Sequence, residues 1–173
     1  MIKNIILFAT LMLSSSIYAE GHPAGNATPE GAACDMATAF INADSKLWNE
    51  VVLKHKKSEY KQFISEISKE MDIQSKLSVN ERVGPKLIGI VFEVGKLSKN
   101  GPNSYAYAAM NIDQIGYVDI GVMNHDGTQA MNRTFVAKKK SIWYALPRPD
   151  LFPLLTAGLN NEPSTKKVVY QLK

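Results

Sequence analysis

The sequence predicts an α+β fold: N-terminal helices packed on a curved, cone-like antiparallel sheet, in a single domain. Three observations carry this. Apolar residues recur at helical spacing from Thr28 to Leu77, and from Pro85 onward the pattern becomes β-rich. The apolar runs after that point are joined by turn signals rather than by helical stretches. Helices followed by strands in hairpin order argue for an antiparallel sheet backed by helices on one side, not for alternating βα units.

The chain has 173 residues, 45% of them hydrophobic and 21% charged, which suits one cored domain without disulfide staples. Residues 1–19 read as a secretory signal peptide. Lys3 supplies its positive region, Ile5 to Leu13 its short apolar run, and Ala19 ends a small-residue cleavage site. That run is too short to span a bilayer, and no later segment approaches a membrane span. The expectation is a soluble exported protein, periplasmic or extracellular. Cleavage removes one lysine and no acid, so the formal net charge falls from +4 to +3. So mild a charge implies no nucleic-acid partner. The lysine runs at Lys54 to Lys57 ("KHKK") and Lys138 to Lys140 read as solvated turns or helix ends. Cys34 is the single cysteine, so no intramolecular disulfide forms, and a thiol on an apolar helical face acts as a small hydrophobe.

Residues 20–27 form a flexible Gly/Pro/Asn-rich leader, and the core domain is expected over 28–147. Thr28 reads as an N-cap, with Pro29 at the first helical position and Glu30 facing the positive helix end. Ala33, Met36, Ala37, Phe40 and Ile41 then form one buried stripe. Asp44 caps a second, short helix whose inner face is Leu47, Trp48, Val51 and Val52. A longer amphipathic helix runs from about Ser58 to Leu77, with Tyr60, Phe63, Ile64, Ile67 and Met71 on one face. Glu59, Lys61, Glu66, Lys69 and Glu70 lie on its other, solvated face.

"PKLIGIVFEVGKL" reads as a strand and "SKNGPN" as a turn. "SYAYAAMNI" alternates, with Tyr105, Tyr107 and Ala109 on one side, and predicts another strand. "YVDIGVM" is a strand and "NHDGT" a turn. "RTFVA", "KKK" and "SIWYALP" make a hairpin with a lysine-rich tip. In the extension 148–173, Asp150 caps a short helix and "KKVVYQL" is a last strand or a docked tail.

The stretches Thr28 to Leu53 and Phe135 to Pro147 resemble the nuclear-transport-factor-2-like superfamily, the cone fold that includes SnoaL-like and ketosteroid-isomerase-like proteins. Thr28 to Leu53 is similar to its opening helix, its frequent Asp and the bulky residue before its next helix. Phe135 to Pro147 is similar to its late hairpin with an inward-facing Trp. The resemblance implies a pocket between sheet and helices, a homodimer through the open sheet face, and in some members catalysis. The long helix after Ser58 and the extension after Pro147 depart from that pattern.

Candidate pocket residues are the aromatics Trp48, Tyr60, Tyr105, Tyr107, Tyr117 and Trp143, which suit an apolar ligand fixed by a few hydrogen bonds. Catalysis in such a pocket needs a buried carboxylate with a raised pKa near a tyrosine donor. Asp113 is the candidate, with Asp119 as the other strand-region carboxylate. The setting "NIDQIG" also suits Asp113 as a turn residue. His22, His55 and His125 lack zinc-ligand spacing, so no metal and no cofactor is expected. No phosphate loop, nucleophile elbow or CxxC is present. The expected function is a non-catalytic exported domain binding a small apolar ligand or an exported protein partner. The alternatives are a pocket enzyme using a buried carboxylate, and an inhibitor or immunity-type protein acting on an exported enzyme or toxin.

Overall fold

A computed structural model describes residues 23–77, 89–94, 104–123, 128–156, 159 and 166–171. The signal peptide, the start of the leader, His22, His125 and the turns expected at 98–103 and 124–127 lie outside the described residues.

The opening helices form where their caps require. Helix α1 spans Pro29–Asn42, and the Thr28 hydroxyl accepts the Gly31 amide at 3.0 Å. It ends at Ala43, which turns left-handed (φ 53°), while the Asp44 amide donates to the Ala39 carbonyl at 2.8 Å. Asp44 then caps α2 (Ser45–Val51) by accepting the Leu47 amide at 2.9 Å. Helix α3 covers Ser58–Gln74 and buries Tyr60, Ile64 and Met71, the spacing its periodicity predicts. One member of the α1 stripe differs: Phe40 is 53% exposed, while Ala39 and Ala43, on the other side of the last turn, are buried.

The leader is tied to this start. The Gly25 amide donates to buried Asp35 at 2.7 Å, and the Asn26 carbonyl accepts from the Trp143 amide at 2.8 Å.

The sheet has the order β4-β3-β2-β1-β5, antiparallel throughout, with β1 at Gly89–Val94, β2 at Gln114–Met123, β3 at Gln129–Lys139, β4 at Ile142–Leu146 and β5 at Lys166–Gln171. The lysine-tipped hairpin is β3–β4, closed by Lys140 and Ser141, both at positive φ. Strand β5, from the extension, pairs with β1 over its full length. The outer edge of β4 is occupied by the chain itself: Val52 bridges to Ala145, and the Leu53 amide donates to the Ala145 carbonyl at 2.8 Å. A sheet edge covered this way offers few free backbone groups to another strand.

"SYAYAAM" is a correction. Ser104–Met110 is helix α4, not a strand. Tyr107 is buried, Ala106 and Met110 are half-buried, and Ala108 and Ala109 are exposed, which is helical spacing. Three alanines favour the helix. Asn111, at φ 55°, closes it with Ile112 N donating to Tyr107 O at 2.8 Å.

Residues directly opposite in the ladder share a face, so Ile115, Tyr117, Phe135, Ala137 and Leu146 lie on one side and Val118, Val136 and Trp143 on the other. Tyr60, Tyr107, Phe152 and Leu155 pack with the first set. Ala32, Ala33 and Cys34 of α1 pack with the second. Ile115 to Ile120 are consequently all buried, as a strand covered on both faces must be. At β2, β3 and β4 helices therefore back the sheet on two sides rather than one.

Candidate functional site

The described members of the aromatic set do not converge on one cavity. Tyr117 is fully buried beneath the Arg133 guanidinium, which sits 3.8 Å from its ring centre. Tyr107 donates its hydroxyl to the Leu155 carbonyl at 3.4 Å, and burial pushes its pKa up. Trp48 donates its indole N–H to the Ile64 carbonyl at 3.3 Å. Trp143 lies on the opposite face of the sheet, packed against α1. Tyr105 belongs to α4, and its side chain lies outside the described residues. Each described ring of this group, Tyr60 apart, is committed to packing or to a satisfied hydrogen bond.

Tyr60 is different. It is 1% exposed, and its hydroxyl has no hydrogen-bond partner among the described residues. A buried hydroxyl left unpaired costs about 1–3 kcal/mol. Burial also pushes its pKa upward, so it stays protonated and able to donate. Phe152 holds the ring edge-on, with centroids 5.1 Å apart.

Tyr60 lines a cleft of about 430 Å³ between the end of α2 and one stripe of α3. Its floor is apolar, formed by Leu53, Tyr60 and Ile64. Along α3 the lining residues recur as adjacent pairs, Tyr60–Lys61, Ile64–Ser65 and Ser68–Lys69. Four-residue spacing puts them on one face, a run of about 12 Å. Asn49 closes one end, donating to Ser68 Oγ at 2.7 Å and accepting from Lys54 Nζ at 3.3 Å.

The rim is basic. Lys54, Lys61 and Lys69 border the cleft, and among the described residues none has a carboxylate within ion-pair distance. Nearby acids are engaged within their own helix or with a serine: Glu66 accepts from Gln62, Glu70 from Gln74, and Asp72 from Ser45. Partial burial holds Lys54 below the usual lysine range. His55 also borders the cleft, and its Nδ1 accepts the Lys57 amide at 3.1 Å. That bond assigns the neutral tautomer with its proton on Nε2, a donor. Burial, then Lys139 and Lys57, lower its pKa below the ordinary 6.5.

Neither strand-region carboxylate has the setting of a base. Asp113 is exposed at the bend between α4 and β2, with its amide donating to the Lys138 carbonyl at 2.7 Å. Asp119 is buried, but both its oxygens accept from Arg133, at 2.7 Å each. Asp150, expected as a cap, instead accepts a bidentate contact from Arg148 at the surface. Burial, then Asp35, push the Cys34 thiol far up, which makes it a poor nucleophile. Among the described residues no group of three His, Cys, Asp or Glu side chains comes together to hold a metal, and no helix is long and apolar enough to cross a membrane.

Of the sequence candidates whose side chains are described, only Tyr60 reaches the cleft. The signal that would have found the rest is the i, i+4, i+8 series Lys61, Ser65, Lys69 running beside Tyr60, Ile64, Ser68. Comparison with protein-family models, with curated proteins and with solved structures finds no match.

Proposed function

We infer that this chain is an exported, non-catalytic binding domain that takes a small, largely apolar ligand in the cleft between α2 and α3. The observation that carries the reading is the cleft itself, about 430 Å³ over a buried floor of Leu53, Tyr60 and Ile64. Small-molecule sites commonly enclose about 300–1,000 Å³, and Leu53, Tyr60 and Ile64 supply the apolar part of this lining. The exposed position of Asp113 and the double engagement of Asp119 weigh against a carboxylate base. Export rests on the Lys3 and Ile5–Leu13 pattern. Kinship with the nuclear-transport-factor-2-like superfamily stays part of the proposal and rests on the resemblance of Thr28 to Leu53 and Phe135 to Pro147 alone.

Native mass spectrometry of the mature chain from Glu20, purified from its export compartment without denaturant, tests this. A mass excess lost on denaturation is expected, and Ser65→Trp, at an exposed position on the cleft wall, should abolish it. An excess that persists in Ser65→Trp places the ligand elsewhere and refutes the site. The same spectra report monomer or dimer.

A further inference from the structure

We infer that His55 is a pH-sensitive latch on the wall of this cleft: as the neutral ring it holds the connector between α2 and α3 against the core, and as the imidazolium it lets that wall go. This rests on the binding reading above and adds how the site is regulated. The connector is short and fixed at few points. At its start the Leu53 amide donates to the Ala145 carbonyl at 2.8 Å, and α3 begins at Ser58. Between them His55 Nδ1 accepts the Lys57 amide at 3.1 Å, and the ring stands edge-on to Phe152 with centroids 4.9 Å apart. Phe152 in turn holds Tyr60 of the cleft floor, 5.1 Å away. Leu53, Lys54 and His55 line the cleft themselves, so what moves the connector moves a wall.

Protonation makes both ring nitrogens donors, so Nδ1 can no longer accept from the Lys57 amide and meets it N–H to N–H. The bond of Lys57 Nζ to the Leu151 carbonyl, 3.0 Å, does not depend on the ring and survives. The new charge finds cations around it. Lys54, Lys56 and Lys57 share its connector, α3 adds Lys61, and β3 brings Lys139. From the turn Pro149–Leu151, Asp150 is already engaged by Arg148. Glu50 of α2 and Glu59 of α3 are the other acids on the adjoining helices, and neither lies within ion-pair distance of His55. Burial, then Lys139 and Lys57, hold the ring's pKa below 6.5, so it is neutral near physiological pH and the latch opens in mild acid.

NMR of the mature chain from Glu20, and its binding of N-phenylnaphthylamine, an apolar dye that stays uncharged across this range, test the latch together. The His55 ring should titrate below 6.5, and the Lys57 amide shift should follow with the same midpoint. Dye binding is expected to weaken about three-fold or more between roughly pH 7.5 and 5. His55→Asn keeps an acceptor in reach of the amide two residues on and takes up no proton, so its dye binding should stay level. His55→Lys, charged and without an acceptor, should bind weakly at both values. A ring that titrates at or above 6.5, or a Lys57 amide that does not follow it, overturns the latch. An amide that follows while wild-type dye binding stays level overturns its hold on the cleft. Dye lost in acid from His55→Asn as from the wild type overturns His55 as the group responsible. Dye bound at neither value, or equally by Ser65→Trp, overturns the binding reading instead, and the Lys57 amide then decides the latch alone.

Discussion

Replacing Asp119 with alanine should expose how much the β2–β3 ladder depends on one ion pair. Asp119 and Arg133 are direct cross-strand partners, their side chains 9% and 23% exposed. The guanidinium makes two bonds of 2.7 Å to the carboxylate, donates a third to the Leu159 carbonyl at 2.8 Å, and stacks on Tyr117. Removing one partner of a fully buried pair costs about 3–5 kcal/mol, because the other charge stays behind without water. Arg133 keeps the Leu159 bond and some solvent contact, so the expected loss is smaller, about 2–3 kcal/mol. For a domain of this size that lowers the melting temperature by roughly 5–10 °C.

Urea unfolding followed by circular dichroism gives the value, and a double-mutant cycle with Arg133→Met separates the pair from its surroundings. Asp119→Ala with Arg133→Met should be less damaging than Asp119→Ala alone, since no orphan charge remains. A loss below about 0.5 kcal/mol for Asp119→Ala, the size of an ordinary surface substitution, would refute the reasoning. So would strict additivity of the two single changes.

Gly31→Ala should destabilise the fold by about 1–2 kcal/mol, because a Cβ there would run into the Gly25 carbonyl oxygen, backbone that α1 and the leader both hold in place. An unchanged melting temperature would show that the leader yields freely. In the β3–β4 hairpin, Lys140 and Ser141 hold φ of 50° and 67°, a pair of left-handed residues that Asn-Gly adopts at lower cost. Lys140→Asn with Ser141→Gly should therefore raise stability by about 1 kcal/mol, read by urea titration, and a loss would contradict that turn. His55 titrates below 6.5 in the fold because of burial and of Lys139 and Lys57, so as pH falls past that value the unfolded chain takes up a proton the native one refuses. Stability is thus complete above about pH 6.5 and declines with acid. His55→Gln should flatten that decline in melting curves, and an NMR titration placing His55 at or above 6.5 would refute the assignment.

The helices at the front were legible because each signal is local. Thr28 and Asp44 cap the helices they precede, and Tyr60, Ile64 and Met71 repeat at the period of the helix that buries them. The hairpin at Lys140 was legible for the same reason. "SYAYAAM" was not: over a few residues, tyrosines alternating with alanines match a period of two, and nothing local outweighs that except the helix propensity of alanine and the closing Asn111. Asp119 opposite Arg133 was beyond reach, since which residues face each other depends on a register set by the whole sheet. The cleft was hidden differently. Lys61 and Lys69 sit on the solvated side of α3, and only the packing of α2 beside that helix turns a polar stripe into the wall of a cleft.

Tyr107 of α4 and Tyr60 of the cleft belong to one core. The face carrying Ile115, Tyr117 and Phe135 is packed by Trp48, Tyr60, Phe152 and Leu155. Helix α4 lays Tyr107 against that face beside Phe152 and Leu155, and Tyr107 bonds the Leu155 carbonyl. Tyr117 and its neighbours thereby become core. Tyr60 meets the same Phe152 from α3, yet among the described residues its hydroxyl has no hydrogen-bond partner, and it lies where α3 parts from the end of α2. With β2, β3 and β4 packed on both faces, the cleft lies at the margin of the core, where one wall is core and the other is a row of lysines. That is why the polar side of α3, rather than the face of the sheet, is where binding should be sought.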